Sequence, residues 1–481
     1  MPEGRIPGTA ELLRELGDRA TDSAFERGFY ARDMADVPGA VMGLVARPVP
    51  DLVVRPVSTG EVARIVRWAA ATGTPVVPRG GGSTAYGNAV PFRGGVVLDM
   101  NGFRGLGKVD PERGTAWVAP GTAWLDLDRD LRRRGLAVCS YPSSAPTATV
   151  GGWLAMGGLG IGSLRHGPLA GLVEAAEVVL ADGWVVRVTG RSEPPLGWFA
   201  GSEGTLGVVT GVRLRVRRVP EAEGHHLVEA PDPAPLVALA RDLAERAGDA
   251  LFNLHLSGPG YNRLVSDRAA ATLAVDLEGP AGAVSAAGDL VRRLSSRHGA
   301  ALLPEPAARG EWGARFRSLR VKRVLPGLLG AELLLPLGGL PAYLERCRSL
   351  GRRHRTGMAS YAHVVSRDRA LVVTLYPADG RRSARYLMDL SLLKGLYDAG
   401  IDLGGAPYGV GLWNTPHVAR ARGAGELREL RRRKALLDPG GLLNPGKVYG
   451  PPLLLGPVVF PAAMGLLSGL RRLAVALGGA R

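Results

Sequence analysis

Cysteine is nearly missing from this chain: Cys139 and Cys347 are the only two in 481 residues. Two thiols cannot ligate a four-cysteine iron–sulfur cluster or zinc site. They also imply no disulfide framework, so a reducing compartment is expected. Aromatic residues are scarce, at 6%, and no aromatic-and-basic nucleic-acid motif appears. Residues 1–10 lack a charged start followed by an apolar run, so no signal peptide is expected. No internal repeat is visible. No strand leads into a G-x-G-x-x-G that opens a helix with an acidic residue further on, which excludes a Rossmann dinucleotide site. Acidic residues are outnumbered, 44 against 60 Lys and Arg, for a net charge of +16. That excess runs along the whole chain rather than in one block, and reads as composition rather than nucleic-acid binding. Arg213, Arg215, Arg217 and Arg218 end a strand-like run and are expected on a solvated face.

Glycine, by contrast, is abundant, with 69 residues. The most informative stretch is Thr74-Pro75-Val76-Val77-Pro78-Arg79-Gly80-Gly81-Gly82-Ser83-Thr84. A short apolar strand runs into three glycines and two hydroxyl residues. Successive N–H groups in such a turn form an anion-binding concavity, although a plain turn is the competing reading. Around it, helix and strand signals alternate. Residues 61–72 read as a helix capped by Ser58 or Thr59 and stopped by Gly73. Residues 95–100 and 116–120 read as strands, and 125–134 as a helix. Two strand signals, 174–180 and 185–189, flank the hairpin turn Ala181-Asp182-Gly183. Residues 207–219 supply another strand, 220–235 read as a linker, and 427–437 as a final helix. This alternation argues for an α+β or α/β architecture.

Several ordered motifs resemble one flavoprotein family. They are Val54-Arg55-Pro56, Pro78-Arg79-Gly80-Gly81-Gly82-Ser83, Pro142-Ser143-Ser144 leading to Thr149-Val150-Gly151-Gly152, Gly201-Ser202-Glu203-Gly204-Thr205-Leu206-Gly207, and Asn444-Pro445-Gly446-Lys447. Together they resemble the vanillyl-alcohol oxidase and p-cresol methylhydroxylase family, and within it the glycolate oxidase and D-lactate dehydrogenase flavoprotein subunits. The resemblance implies an α+β fold: a two-part PCMH-type FAD-binding domain, then an α+β substrate (cap) domain and a C-terminal return to the flavin. The implied boundaries are a helical lead-in at 1–47, the FAD domain at 48–220, the cap at 221–425, a flavin-closing segment at 426–450 and an apolar tail at 451–481. It implies FAD contacts from Pro78, Arg79, Gly80, Gly81, Gly82, Ser83, Thr84, Pro142, Ser143, Thr149, Gly151, Gly152, Ser163, His166, Gly207, Val209, Asn444 and Lys447. No His or Cys lies between Arg79 and Val90, where some relatives attach the flavin, so FAD is expected to be non-covalent. Glu203 is expected to accept backbone hydrogen bonds in its Gly-rich turn.

The catalytic half departs from the 2-hydroxy-acid dehydrogenases. Tyr361-Ala362-His363 matches the first histidine of their metal site, but Ala370, Pro407 and Tyr408 stand where the other ligands belong. One ligand cannot make a tight metal site, so no metal is expected. Tyr408, His363 and Arg320 remain as candidate catalytic residues, for proton transfer and carboxylate binding. The expected activity is FAD-dependent oxidation of an alcohol or 2-hydroxy acid. A flavin-binding subunit without its own catalysis and an alkylglycerone-phosphate-synthase-like non-redox flavoenzyme are the alternatives. Electrons would leave to a quinone, an electron-transfer protein or dioxygen. Residues 453–470 carry no charge, and the apolar set Ala463, Leu466, Leu467, Leu470, Leu473, Ala474 and Leu477 has helical spacing. That pattern fits a helix docked on the protein or lying on a membrane better than a span. A cytoplasmic protein, peripheral at the membrane or not, and a homodimer are in keeping with this reading.

Overall fold

The structure is a computed structural model that describes residues 6–35, 37–317, 321–322, 327–450, 453–456 and 459–476. Its first sheet orders Ala20–Thr21, Leu52–Val54, Val96–Asp99 and Val76–Arg79, the last three parallel. The helix Thr59–Thr72 packs across it. Ser58 Oγ accepts from the Glu61 N–H at its start, and Gly73 ends it with φ 65°, as the capping residues anticipated. Val62, Ile65, Val66 and Ala69 form its buried stripe. The second sheet is antiparallel and is built around the long strand Val208–Arg218, flanked by Thr115–Val118 and Val173–Val179.

The third sheet has eight strands, and its order carries the site. Ala301–Leu302, Ala222–Ala230, Ala271–Gly279, Leu251–Ser257, Ala359–Val364, Arg369–Pro377, Leu328–Pro336 and Ala406–Pro407 follow one another, all antiparallel. Side chains alternate between its faces. Leu254, Ala362, Val372, Leu333 and Leu335 join the main apolar core with the helices Pro233–Arg246, Ala281–Arg297, Leu340–Arg353 and Ser383–Ile401. His255, Tyr361, His363, Val373 and Glu332 occupy the other face, in register across four strands.

Two expectations need correction and a third holds in part. Residues 220–235 are not a linker: Ala222–Ala230 zips along its whole length to Ala271–Gly279, and a helix begins at Pro233. Arg217 is not solvated; it pairs at 2.6 Å with the buried Glu278 and lies over the Phe252 ring. The tail helix, Val459–Ala476, docks on Ser383–Ile401 as one of the two readings allowed, but through only part of the apolar set: Ala463, Leu467 and Ala474 are half-buried. Arg471 is buried there, donating to Asp389 Oδ1 at 2.9 Å and to the His354 carbonyl at 2.9 Å. Met464 and Val475 are buried beside it, while Leu466, Leu470 and Leu473 are exposed. Leu477 lies outside the described residues. Among the described residues no helix is long and apolar enough to cross a membrane.

Candidate active site

Between the first two sheets and the polar face of the third lies a cavity of about 470 Å³. Its wall contains Pro78, Arg79, Gly80, Gly81, Gly82, Ser83, Thr84, Pro142, Ser143, Thr149, Gly151, Gly152, Gly207 and Val209. Two glycine-rich segments, distant in sequence, therefore meet. The contact is too close for any side chain: a Cβ on Gly81 would lie 1.9 Å from the Thr147 carbonyl oxygen, and one on Gly80 would lie 2.3 Å from Thr149 Oγ1. Thr149 in turn accepts from the Gly152 N–H at 3.3 Å and caps the helix Val150–Ala155. Gly82 needs φ 58°, which glycine adopts without strain. Among the described residues, the backbone N–H groups from Gly80 to Thr84 have no hydrogen-bond acceptor. Asn88 Oδ1 and Trp413 Nε1, also in the wall, are buried and unpartnered. A glycine cradle, free backbone donors and orphaned polar atoms fit a long ligand with an anionic middle, as FAD is.

The Arg79 guanidinium is engaged behind the loop. Its Nη1 donates to the Arg32 carbonyl at 2.7 Å, and its guanidinium lies 5.4 Å from the Tyr30 ring centroid. It supports the Gly82 turn from beneath. Ser163, His166, Asn444 and Lys447 do not line the cavity. Ser163 Oγ accepts the Gly160 N–H, closing a turn. His166 packs edge-on against Phe252, and burial together with Arg217 and Arg165 pushes its pKa down to about 3. Asn444 and Lys447 sit behind the wall because the closing segment adds to the first sheet. The Val76 N–H donates to the Leu442 carbonyl at 2.9 Å, and the Asn444 N–H to the Val76 carbonyl at 2.8 Å. From there Asn444 Nδ2 ties the carbonyls of Asn88 and Glu203 together. Lys447 Nζ donates to the Val90 carbonyl, and burial pushes its pKa down to about 7.

Glu203 accepts backbone hydrogen bonds, but from the loop that follows Tyr408 rather than from its own turn. Its carboxylate takes the Val410 N–H (2.7 Å), the Gly411 N–H (2.7 Å) and Asn88 Nδ2 (2.6 Å). It thus staples the loop carrying Tyr408 to the glycine-rich half. Tyr408 lies in the cavity wall; its hydroxyl oxygen accepts the Leu159 N–H at 2.9 Å, and burial raises its pKa. His363 also lines the cavity, opposite His255 on the neighbouring strand, with Nδ1 atoms 3.3 Å apart. Burial holds both rings neutral, pushing His255 down to about 4. Among the described residues, no three His, Cys, Asp or Glu side chains converge as a metal site. Arg320 lies outside the described residues.

The ionisable group best placed in the cavity escaped the sequence reading. Glu332 lies in its wall, and the Tyr86 hydroxyl donates to Glu332 Oε2. Burial raises this carboxyl to about 7, with the Tyr86 bond opposing the shift. The sequence did carry a signal: a lone acid in Ala331-Glu332-Leu333-Leu334-Leu335, just as His255 stands alone between Leu254 and Leu256.

Comparison with known proteins agrees with the cradle. A model of an FAD binding domain matches residues 50–189, and one of the C-terminal domain of FAD linked oxidases matches 236–448. The chain is 35% identical over 181 residues to a glycolate oxidase subunit of Bacillus subtilis, a match covering 36% of this chain and 38% of that one. It is 27% identical over 457 residues to a mitochondrial D-lactate dehydrogenase (cytochrome) of Arabidopsis thaliana, covering 90% and 78%. It is 30% identical over 235 residues to an alkyldihydroxyacetonephosphate synthase of Trypanosoma brucei brucei, covering 46% and 38%. The fold is that of p-cresol methylhydroxylase with substrate bound, at TM-score 0.79 and 16% identity, covering 94% and 99%.

Proposed function

We propose, from the premise that this chain belongs to the FAD-linked oxidoreductases, that it oxidises the carbinol carbon of an alcohol, with Glu332 receiving the hydroxyl proton. The observation that carries this reading is the Glu332–Tyr86 pair in the cavity wall that also holds the glycine cradle. Residues 80–84 and 149–152 would hold FAD, non-covalently given the absence of His or Cys in the first loop. Bound flavin supplies the acceptor for the carbon-bound hydrogen and its electron pair. Glu332, with a pKa of about 7, is partly ionised at neutral pH and suits a general base. The Tyr86 hydroxyl fixes the carboxylate's orientation. Tyr408 accepts from Leu159, which leaves its own proton to be donated to a ligand oxygen. Burial beside His255 makes His363 a weak base, so its role is to position a substrate. With Ala370, Pro407 and Tyr408 in the metal-ligand positions, an alcohol is favoured over a metal-held 2-hydroxy acid. A quinone, an electron-transfer protein or dioxygen would serve as the final electron acceptor.

Two measurements test this reading. The purified protein should be yellow, and acid precipitation should release the colour into the supernatant. A colourless protein that takes up no added FAD would refute the cofactor assignment. Flavin bleaching by an alcohol without a partner protein supports the enzyme; none across a broad panel would instead support a non-catalytic flavin subunit. Gly81→Ala places a methyl group against the Thr147 carbonyl and must displace the loop backbone. Its flavin content per protein is expected to fall at least about tenfold, read from the absorbance ratio.

A further inference from the structure

Beyond its polar end, the same cavity continues as an aliphatic passage. Leu387, Leu390 and Leu393 of the Ser383–Ile401 helix line it, as do Phe460, Ala463 and Met464 of the tail helix packed against that helix. Leu44 and Leu454 line it too, yet are 60% and 44% exposed, so they mark its mouth. Lys394, the cation on that stretch of wall, is paired with Asp398 and therefore offers no free charge to an anion. The buried Arg471–Asp389 pair fixes the tail helix in place as a wall. A passage lined mainly by aliphatic side chains gives water few partners, whereas it can bury methylene groups along its length. A small hydroxy acid would leave it unused.

We propose that this passage binds the alkyl chain of the alcohol whose carbinol end reaches Glu332, so that the substrate is a long-chain aliphatic alcohol. The inference rests on the oxidation reading above, and its test separates the two. The full chain is loaded with the fluorescent probe 11-(dansylamino)undecanoic acid, which is then displaced by alkan-1-ols from butanol to decanol. Displacing affinity is expected to rise about fourfold per added methylene until the passage is filled. Ala463→Trp and Leu390→Trp plug the passage from two different helices. Each is expected to weaken decanol binding at least tenfold, with circular dichroism and the thermal midpoint confirming that the variant folds. A flat length series, or folded plugging variants that bind decanol as tightly as the natural protein, overturns the passage. If decanol binds as expected but bleaches no flavin, the passage stands and the oxidation reading falls. If short alcohols bleach flavin while the length series is flat, the oxidation reading stands and the passage falls.

Discussion

Glu332→Gln is expected to slow substrate-driven flavin bleaching by about 10²–10⁴-fold, the usual contribution of a positioned general base. Flavin content should be unchanged, because Glu332 stands on the cap sheet and not on the glycine cradle. The pH profile distinguishes this role from a structural one. Burial raises the carboxyl to about 7, and only its ionised form can accept a proton. The natural protein should therefore gain rate as pH rises through about 7 and level off above it. The glutamine variant should lack that step. Tyr86→Phe removes the hydrogen bond that opposes the shift, so its step should move to higher pH. Stability runs in the opposite direction. A carboxyl whose folded pKa exceeds its unfolded value favours the folded state at low pH, and that contribution is lost as pH rises from about 4.5 through about 7. Thermal midpoints at pH 5 and pH 8 should differ less in Glu332→Gln than in the natural protein.

Glu203→Ala is expected to have the largest effect on stability. The carboxylate is buried and accepts from Val410, Gly411 and Asn88. Removing it strands these donors in the interior and detaches the Tyr408 loop from the glycine-rich half. Each buried donor left unpaired costs about 1–3 kcal/mol. Chemical denaturation should show the loss as a lower midpoint, and flavin retention through gel filtration should fall with it. Glu203→Gln is the informative companion. Its amide keeps one acceptor oxygen but turns an NH₂ group toward donors, so it should be intermediate rather than neutral. A Glu203→Ala protein with natural stability and flavin content would show that the staple does not hold the cavity together.

The glycine-rich half was legible because its signals are local. Ser58, the apolar stripe and Gly73 mark one helix within a single stretch of sequence. The cradle glycines are likewise recognisable from their neighbours, although only the fold brings Gly80 against Thr149. Legibility fails where a residue's role comes from a distant partner. Ala222–Ala230 carries Glu223, Gly224, His225 and His226, which read as a polar linker until Ala271–Gly279 pairs with it. Arg217 looks solvated until the third sheet supplies Glu278. Glu332 and His363 share one face only because three strands are aligned in a particular register. Asn444 and Lys447 belong to a motif readable in the sequence, yet strand addition beside Val76 puts them behind the wall rather than in it.

That strand addition also bears on how the protein is made. Asn444 reaches back to Asn88 across 356 residues of chain, and Lys447 to Val90 across 357. At ordinary translation speeds, about 20–70 s separate the emergence of the two partners from the ribosome. Throughout that interval the nascent glycine-rich half lacks the strand beside Val76 and the lysine that caps the Val90 carbonyl. The cofactor half, first to be synthesised, is therefore among the last parts to be completed. A chain cut short before residue 442 should be captured by chaperones or degraded even though every loop of its cradle is present.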